Sequence, residues 1–370
     1  MGSQPSSPHI VFAGGGTGGH LFPGVAVAEK LAQICPDAEI TFVGTEGGIE
    51  ARVIPETDFE LRLVDVQPLK GGSLIKRVVS VASLPGSGWQ ARRLLKTLQT
   101  DVVVSLGGYA AGPITMVASL SGAATALMEQ NSYPGLTNRL LSRFVDQAFL
   151  TFERTEQFLG KTRVSTPGNP VRQDLLATAE DFQYETPAED GPFRILIIGG
   201  SGGAGSFNEH IPSWLSSMEE LTGRLHVRHQ AGRGRADEAL PGYEEFQGRV
   251  EVVEFIDDMA EAYRWCDLLI CRAGASTIAE VLILGIPAIY IPFPHAADDH
   301  QRANARSVVE AGAGVMIDDD EINSDRARNL LSGFMNNPQA LQNLARRARS
   351  LARPQAGKEI ADRLLEMAQS

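Results

Sequence analysis

Along the chain, short runs of β-branched and aliphatic residues alternate with longer stretches whose apolar positions recur at helical spacing. The short runs read as strands over His9–Ala13, Glu39–Val43, Leu61–Val66, Asp101–Leu106, Ala124–Met128 and Gln147–Leu150 in the first half. In the second half they read as strands over Arg194–Ile198, His226–Gln230, Val250–Glu254, Asp267–Cys271, Ala288–Ile291 and Val315–Ile317. These runs are nearly continuously hydrophobic, the pattern of a parallel sheet covered by helices on both faces. Amphipathic stretches such as Val25–Ile34 and Ser276–Leu284 fill the intervals. Strand and helix alternating in this way predict doubly wound α/β folding.

The pattern breaks once. Residues 178–192, TAEDFQYETPAEDGP, are acidic, contain prolines and have little apolar periodicity, so they read as a linker or a linker with a surface excursion. Beyond them the order strand, glycine loop, helix begins again. The expected organisation is a first Rossmann-like domain over 8–177, a linker over 178–192 and a second over 193–354. A final amphipathic helix within 355–370 has an open packing side, one option being a return to the first domain. A chain of 370 residues is long enough for two separate cores.

Composition changes this picture little. An apolar fraction of 43% and a charged fraction of 21% are those of an ordinary soluble protein. No run of 18 apolar residues occurs, so no membrane-spanning helix is expected. The opening MGSQPSSPHIVFAGGG lacks a basic n-region and does not read as a secretory signal. Cys35, Cys266 and Cys271 have neither disulfide-like nor metal-like spacing and read as buried thiols. A net charge of −12 argues against general nucleic-acid binding. One segment runs against that balance. Residues 70–96 hold six basic residues and no acidic one, interleaved with Leu74, Ile75, Val78, Val79, Val81, Leu84 and Trp89. This is either a peripheral docking surface for an anionic membrane or buried helix.

Four glycine-rich loops follow expected strands: Gly14–His20, Gly107–Pro113, Gly199–Ala204 and Arg272–Ser276. Glycine permits positive φ and lets a ligand approach the backbone, and the helix that follows offers unpaired N–H groups to an anion. Gly14, Gly16 and Gly19 formally satisfy a dinucleotide fingerprint, which alone is weak. Five glycines in the six residues 14–19 argue against a turn that binds nothing. A dehydrogenase needs one such loop, whereas both halves of this chain carry them. All four lie at carboxyl ends of strands, where open α/β sheets bind ligands.

The residues GGGTGGHLFPG (14–24), SLGGYAAGP (105–113), EQNSYPGLTNRLL (129–141), TPGNPVR (166–172), GGSGGA (199–204), EFIDDMAEAY (254–263), CRAGASTIAE (271–280) and IPFPHAADDHQRANA (291–305) resemble the bacterial MurG family of N-acetylglucosaminyltransferases. The resemblance covers almost the whole chain, and its specificity lies in eight pieces in family order. It implies a GT-B fold of two Rossmann-like domains facing a cleft, with no cofactor and no divalent metal. It also implies inverting transfer of N-acetylglucosamine from UDP-N-acetylglucosamine to the C4 hydroxyl of the muramic acid unit of undecaprenyl-linked lipid I, giving lipid II. The expected location is the cytoplasmic face of the inner membrane, held peripherally. The family commonly has Gln within the second loop, where this chain has Gly202, and His before Glu129-Gln130, where it has Met128. The first departure bears on the diphosphate contact near Ser201.

Inverting transfer is helped by a base near the attacking hydroxyl, and a histidine titrating near neutrality suits that role. His20 is the candidate, with capping or orienting the loop as the other reading. The resemblance carries Thr17, Gly18, Gly19, Asn131 and Gln301 to the donor. It points Arg172 and Ser201 to the diphosphate, Ile256 to the uracil, and Ala275, Ser276, Thr277, Ile278, Ala279 and Glu280 to the nucleotide. Glu280 suits the ribose hydroxyls because a carboxylate accepts two hydrogen bonds; otherwise it is a solvent-facing helix glutamate. Arg172 is otherwise a surface ion pair. Tyr109 either lines the acceptor pocket or simply packs. Asp257-Asp258 precedes a helix and reads as its cap more than as a metal site. A UDP-N-acetylglucosamine 2-epimerase-like enzyme and a non-catalytic nucleotide-binding module are the competing functions.

Overall fold

The structure, a computed structural model, describes residues 7–64, 88–200 and 202–369. The chain divides into two compact units, one of residues 1–172 with 354–370, the other Gln173–Arg353.

The first unit is built on a seven-stranded sheet: β1 (His9–Gly14), β2 (Glu39–Gly44), β3 (Glu60–Leu63), β4 (Val102–Gly107), β5 (Ala124–Glu129), β6 (Gln147–Leu150) and β7 (Arg163–Ser165). Their order is β3-β2-β1-β4-β5-β6-β7, and every pairing is parallel. Central strands are buried throughout, as helices on both faces require. The register of β1 against β4 slips by one residue, so Ala13 faces Ser105 while Gly14 faces Gly107. Leu106 is left as the extra residue, fully buried beneath Gly24, where a Cβ would come within 2.6 Å of its Cδ1.

The helix after β1 runs Gly18–Ile34 and so begins before Pro23, which sits inside it. The carbonyl of Thr17 takes the amides of His20 and Leu21 and closes the first turn well before the amphipathic stretch Val25–Ile34 that the sequence marks. The C-terminal helix Ala356–Ala368 packs along Gly18–Ile34. Its Ile360, Ala361, Leu364 and Met367 join Phe12, Val25, Leu31 and Phe42 in the core of this unit.

The second unit has six strands: β8 (Phe193–Ile198), β9 (Leu225–Gln230), β10 (Arg249–Val253), β11 (Leu268–Cys271), β12 (Ala288–Tyr290) and β13 (Val315–Met316). They are parallel in the order β10-β9-β8-β11-β12-β13. Phe193, Ile195, Phe207, Trp214 and Phe334 centre its core. The stretch that reads as a linker is helical at its start. A helix over Gln173–Asp181 belongs to this unit because Leu175, Thr178 and Ala179 are buried against the helices Ala275–Leu284 and Met259–Trp265. The Tyr184 hydroxyl donates to the Asp267 carbonyl at 2.9 Å and ties the next stretch down.

Candidate active site

In the first sheet the chain runs outward from β1 through β2 and β3, then crosses to β4 on the other side of β1. Ligands bind in open α/β sheets at such a switch point, outside the carboxyl ends of the strands. The glycine loops after β1 and β4 meet there. Gly15 N donates to Gly107 O at 3.0 Å, and a Cβ on Gly14 would collide with that same carbonyl. Gly14 and Gly107 have φ of +87° and +91°, which glycine alone adopts without cost.

A carboxylate sets the first loop from behind. Glu50, 1% exposed, accepts from Gly16 N at 2.7 Å. Glycines surround it: a Cβ on Gly15 or Gly44 would lie 2.9 Å from its side chain, and one on Gly48 would overlap its Oε2. The loop is therefore fixed by a charge-assisted bond rather than left pliant.

His20 stands in the first turn of Gly18–Ile34, half-buried, with Nδ1 2.9 Å from Oε1 of Gln130. A Cβ on Gly107 would sit 3.1 Å from that nitrogen, so the glycine also gives the ring its seat. Gln130 and Asn131 follow β5 directly. Glu129, buried, accepts from the Asn131 amide (2.9 Å) and side chain (3.3 Å), from Gly135 N (3.1 Å) and from Asn138 Nδ2 (2.9 Å). Four donors satisfy the carboxylate and hold Asn131 at the strand end. The first unit thus brings Thr17, Gly18, Gly19, His20 and Asn131 to one switch point. Tyr109 belongs to the helix Gly108–Ser121, but its side chain lies outside the described residues. Arg172, half-buried, is the last residue before the second unit.

The second sheet repeats the arrangement at β8 and β11, which are neighbours although β9 and β10 lie between them in sequence. Two helices begin at these strand ends, Gly205–Ser216 and Ala275–Leu284. Neither carries a side-chain cap or an acidic residue in its first turn. Amide ends of this kind, with their partial positive charge, suit a phosphate. The loop between β8 and its helix is close-packed: Gly203 N donates to Gly200 O at 2.9 Å, and a Cβ on Gly203 would overlap Ala231 O. Ser201 lies outside the described residues. Ala275, Ser276, Thr277, Ile278, Ala279 and Glu280 form the first turns after β11.

Three further side chains organise this end of the sheet. Gln230, at the end of β9, accepts from Ile256 N at 3.1 Å and donates to Gly200 O at 3.0 Å, so one amide ties Ile256 to the loop after β8. Glu280 accepts through Oε2 from the Tyr263 hydroxyl at 2.8 Å. Burial first, then the Glu280 charge, push the Tyr263 phenol well above its usual range, so it remains a donor. Glu280 is half-buried and bonded rather than a free surface carboxylate. Gln301, at the start of the helix His300–Val309, accepts from Phe293 N at 3.0 Å. It follows Asp298 and Asp299, whose φ of +52° and +53° are unusual for residues bearing a Cβ.

Arg272, buried at the end of β11, donates to Ile291 O and Pro292 O (3.1 Å each) and to Ser206 Oγ (2.7 Å), and pairs with Asp319. Burial lowers its pKa and the Asp319 bond opposes that. It joins the chain before Phe293 to the helix after β8. Asp258 caps the helix Met259–Trp265 through Glu261 N at 2.8 Å.

Sequence reasoning did not single out Glu50, Glu129, Gln130, Gln230, Tyr263 or Arg272. Apart from the local partners of Glu129, their partners lie well over ten residues away, and no spacing rule assigns them a role. Glu129 and Gln130 do fall inside the motif 129–141, Tyr263 inside 254–263 and Arg272 inside 271–280, whereas Glu50 and Gln230 lie in none.

The glycosyltransferase family 28 N-terminal domain model matches residues 10–150, and the C-terminal domain model of that family matches residues 194–364. The UDP-N-acetylglucosamine--N-acetylmuramyl-(pentapeptide) pyrophosphoryl-undecaprenol N-acetylglucosamine transferase of Myxococcus xanthus is 41% identical over 353 residues, 95% of this chain and 91% of the relative. The transferase of the same name from Citrifermentans bemidjiense is 41% identical over 356 residues, 96% of this chain and 99% of that one. Among solved structures, Acinetobacter baumannii MurG is similar with a TM-score of 0.80 and 32% identity, covering 97% of this chain and 99% of that one. Both sheets are parallel with glycine loops at their switch points, both halves match, and the relatives align over at least 95% of this chain: the chain is a GT-B glycosyltransferase of family 28 and belongs to the MurG family.

Proposed function

We propose that the chain transfers N-acetylglucosamine from UDP-N-acetylglucosamine to the C4 hydroxyl of the muramic acid unit of lipid I, with inversion, giving lipid II for peptidoglycan. The observation that carries this reading is the repeated switch point. Each unit presents glycine-loop backbone at the carboxyl ends of two adjacent strands, which suits a diphosphate in one unit and a hydroxyl acceptor in the other.

In the second unit the uncapped helix starts after β8 and β11 neutralise the departing UDP, with Ser201 as an additional donor and Arg172, the residue just before this unit, as another. Ile256 reads the uracil, Glu280 takes the ribose hydroxyls, and Gln301 takes the sugar. In the first unit His20 takes the proton of the acceptor hydroxyl as its oxygen attacks C1. The C1–O bond to the diphosphate breaks, and UDP leaves with the electron pair. A positioned base of this kind contributes roughly 10²–10⁴-fold. Thr17, Gly18, Gly19 and Asn131 line the same end of the sheet, with Tyr109 on the acceptor side. No divalent cation takes part, because backbone amides and an arginine meet the leaving-group charge.

The acceptor is lipid-linked, so the enzyme works at the cytoplasmic face of the inner membrane. Support comes from the first unit, where Trp89, Leu120, Leu136, Leu140 and Phe144 are exposed among Arg92, Arg93, Lys96 and Arg143. Of the basic segment 70–96, residues 70–87 lie outside the described residues. No helix among the described residues is long and apolar enough to cross a membrane.

The test is transfer to a short-chain lipid I analogue in EDTA, with several sugar nucleotides offered. UDP-N-acetylglucosamine should be used in preference and the chelator should leave turnover unchanged. Epimerised sugar formed without acceptor, or activity restored only by magnesium, would overturn the reading.

A further inference from the structure

Nδ1 of His20 lies 2.9 Å from the carbonyl oxygen of the Gln130 side chain. An amide carbonyl oxygen only accepts, so the hydrogen between these atoms must come from the ring. A neutral imidazole carries one N–H; with it on Nδ1, Nε2 keeps its lone pair. If the amide were turned over, its N–H would face Nδ1, the ring proton would move to Nε2, and the ring could no longer accept a proton there. The orientation of one side chain therefore decides whether His20 can be a base.

Gln130 is well placed to hold that orientation. It is 2% exposed, and it follows Glu129, whose carboxylate is saturated by four donors that pin the turn after β5. Its Nε2 is buried with no hydrogen-bond partner among the described residues, so the bond to His20 is the side-chain bond that sets the amide's orientation there. The ring is seated from below by Gly107, where any Cβ would press on Nδ1 and Cε1.

We propose that Gln130 is a positioning residue for His20, fixing the imidazole as its Nδ1–H tautomer so that Nε2 is left to receive the proton of the acceptor hydroxyl. This rests on the reading of His20 as the base. The charged groups around the ring are few. Glu129 is tied to Asn131, Gly135 and Asn138, and Glu50 lies behind the glycine loop on Gly16 N. The helices Gly18–Ile34 and Gly108–Ser121 bring no acidic residue in their first turns, and Leu136–Leu141 brings Arg139.

The experiment uses the full chain with selectively labelled histidine, comparing wild type with Gln130→Glu and Gln130→Met. In wild type the nitrogen shifts of His20 should report a proton on Nδ1. Gln130→Glu places a carboxylate against Nδ1–H, so the His20 titration should rise by roughly one pH unit or more. The acid limb of kcat/KM should move upward with it, because the base must be unprotonated to act. Gln130→Met keeps the volume and removes the acceptor. It should lower kcat with little change in the donor KM, and by less than the roughly 10²–10⁴-fold that loss of the base itself costs. A wild-type proton on Nε2, or a Gln130→Glu titration that stays in place, overturns the proposal. A titration that moves while the rate profile does not would uphold the pairing and remove His20 as the base instead.

Discussion

At the scale of single residues, the site is held by buried polar groups that touch the loops from behind. Tyr263 is the plainest case: fully buried, it spends its hydroxyl on one oxygen of Glu280. Tyr263→Phe removes that bond and little volume. A hydrogen bond to a charged group is worth about 1.5–3 kcal/mol, so the donor KM should rise by roughly 10-fold or more while kcat stays near wild type. An unchanged KM in steady-state assays with UDP-N-acetylglucosamine would mean that Glu280 needs no orienting. Such supports were not legible beforehand. Glu50 reaches Gly16 across 34 positions and Gln130 reaches His20 across 110; nothing local distinguishes Glu50 from a surface polar residue, and the motif that holds Gln130 does not tell its partner. The glycines they serve were legible, because glycine is costly enough in ordered structure that a cluster of it implies a purpose.

At the scale of elements, each of the twelve strands expected from hydrophobic runs has a counterpart, although Asp65 and Val66 of the third lie outside the described residues. Legibility came from burial on both faces, which leaves an unbroken apolar run. It failed for β7, Arg163–Ser165, a three-residue edge strand with two exposed side chains. It failed again at Gln173–Asp181, where acidic residues on the outer face mask a buried stripe of Leu175, Thr178 and Ala179. The loops after the strands allow a sharper test. Gly203 has φ of +71°, and a Cβ there would overlap Ala231 O, whereas a Cβ on Gly202 would meet nothing within 4 Å. Gly203→Ala should cost on the order of 3 kcal/mol in the second unit and raise the donor KM. Gly202→Ala should be tolerated in both respects. Equal thermal melts and equal KM values for the two variants would show that close packing of this loop does not set its geometry.

At the scale of the whole molecule, charge and exposure pull in different directions. A net charge of −12 repels an anionic membrane, so any approach must be made by a locally cationic surface. The first unit supplies one on neighbouring elements. Residues 88–97 form a helix whose Ala91 and Leu95 pack on Ile114 and Ala118 of Gly108–Ser121, and that helix in turn packs on Leu136–Leu141. With their inner sides so occupied, these helices leave Trp89, Leu120, Leu136, Leu140 and Phe144 to solvent, Leu120 at 80% exposure, with Arg92, Arg93 and Arg143 also exposed. Arg93 lies over the Trp89 ring at 5.6 Å, a cation and an amphipathic ring placed together as at a headgroup boundary. Each basic residue near an anionic surface contributes about 1 kcal/mol. Reversing all three arginines to glutamate should therefore weaken binding to vesicles rich in anionic lipid by at least roughly 100-fold at low salt, with wild-type binding itself falling as salt rises. Trp89→Ser should weaken binding with less dependence on salt, because it removes apolar contact rather than charge. Turnover of a water-soluble, short-chain acceptor should be spared in both variants, since neither touches the strand ends. Vesicle co-sedimentation that leaves the triple variant bound like wild type would show that this surface is not how the protein reaches its lipid-linked acceptor.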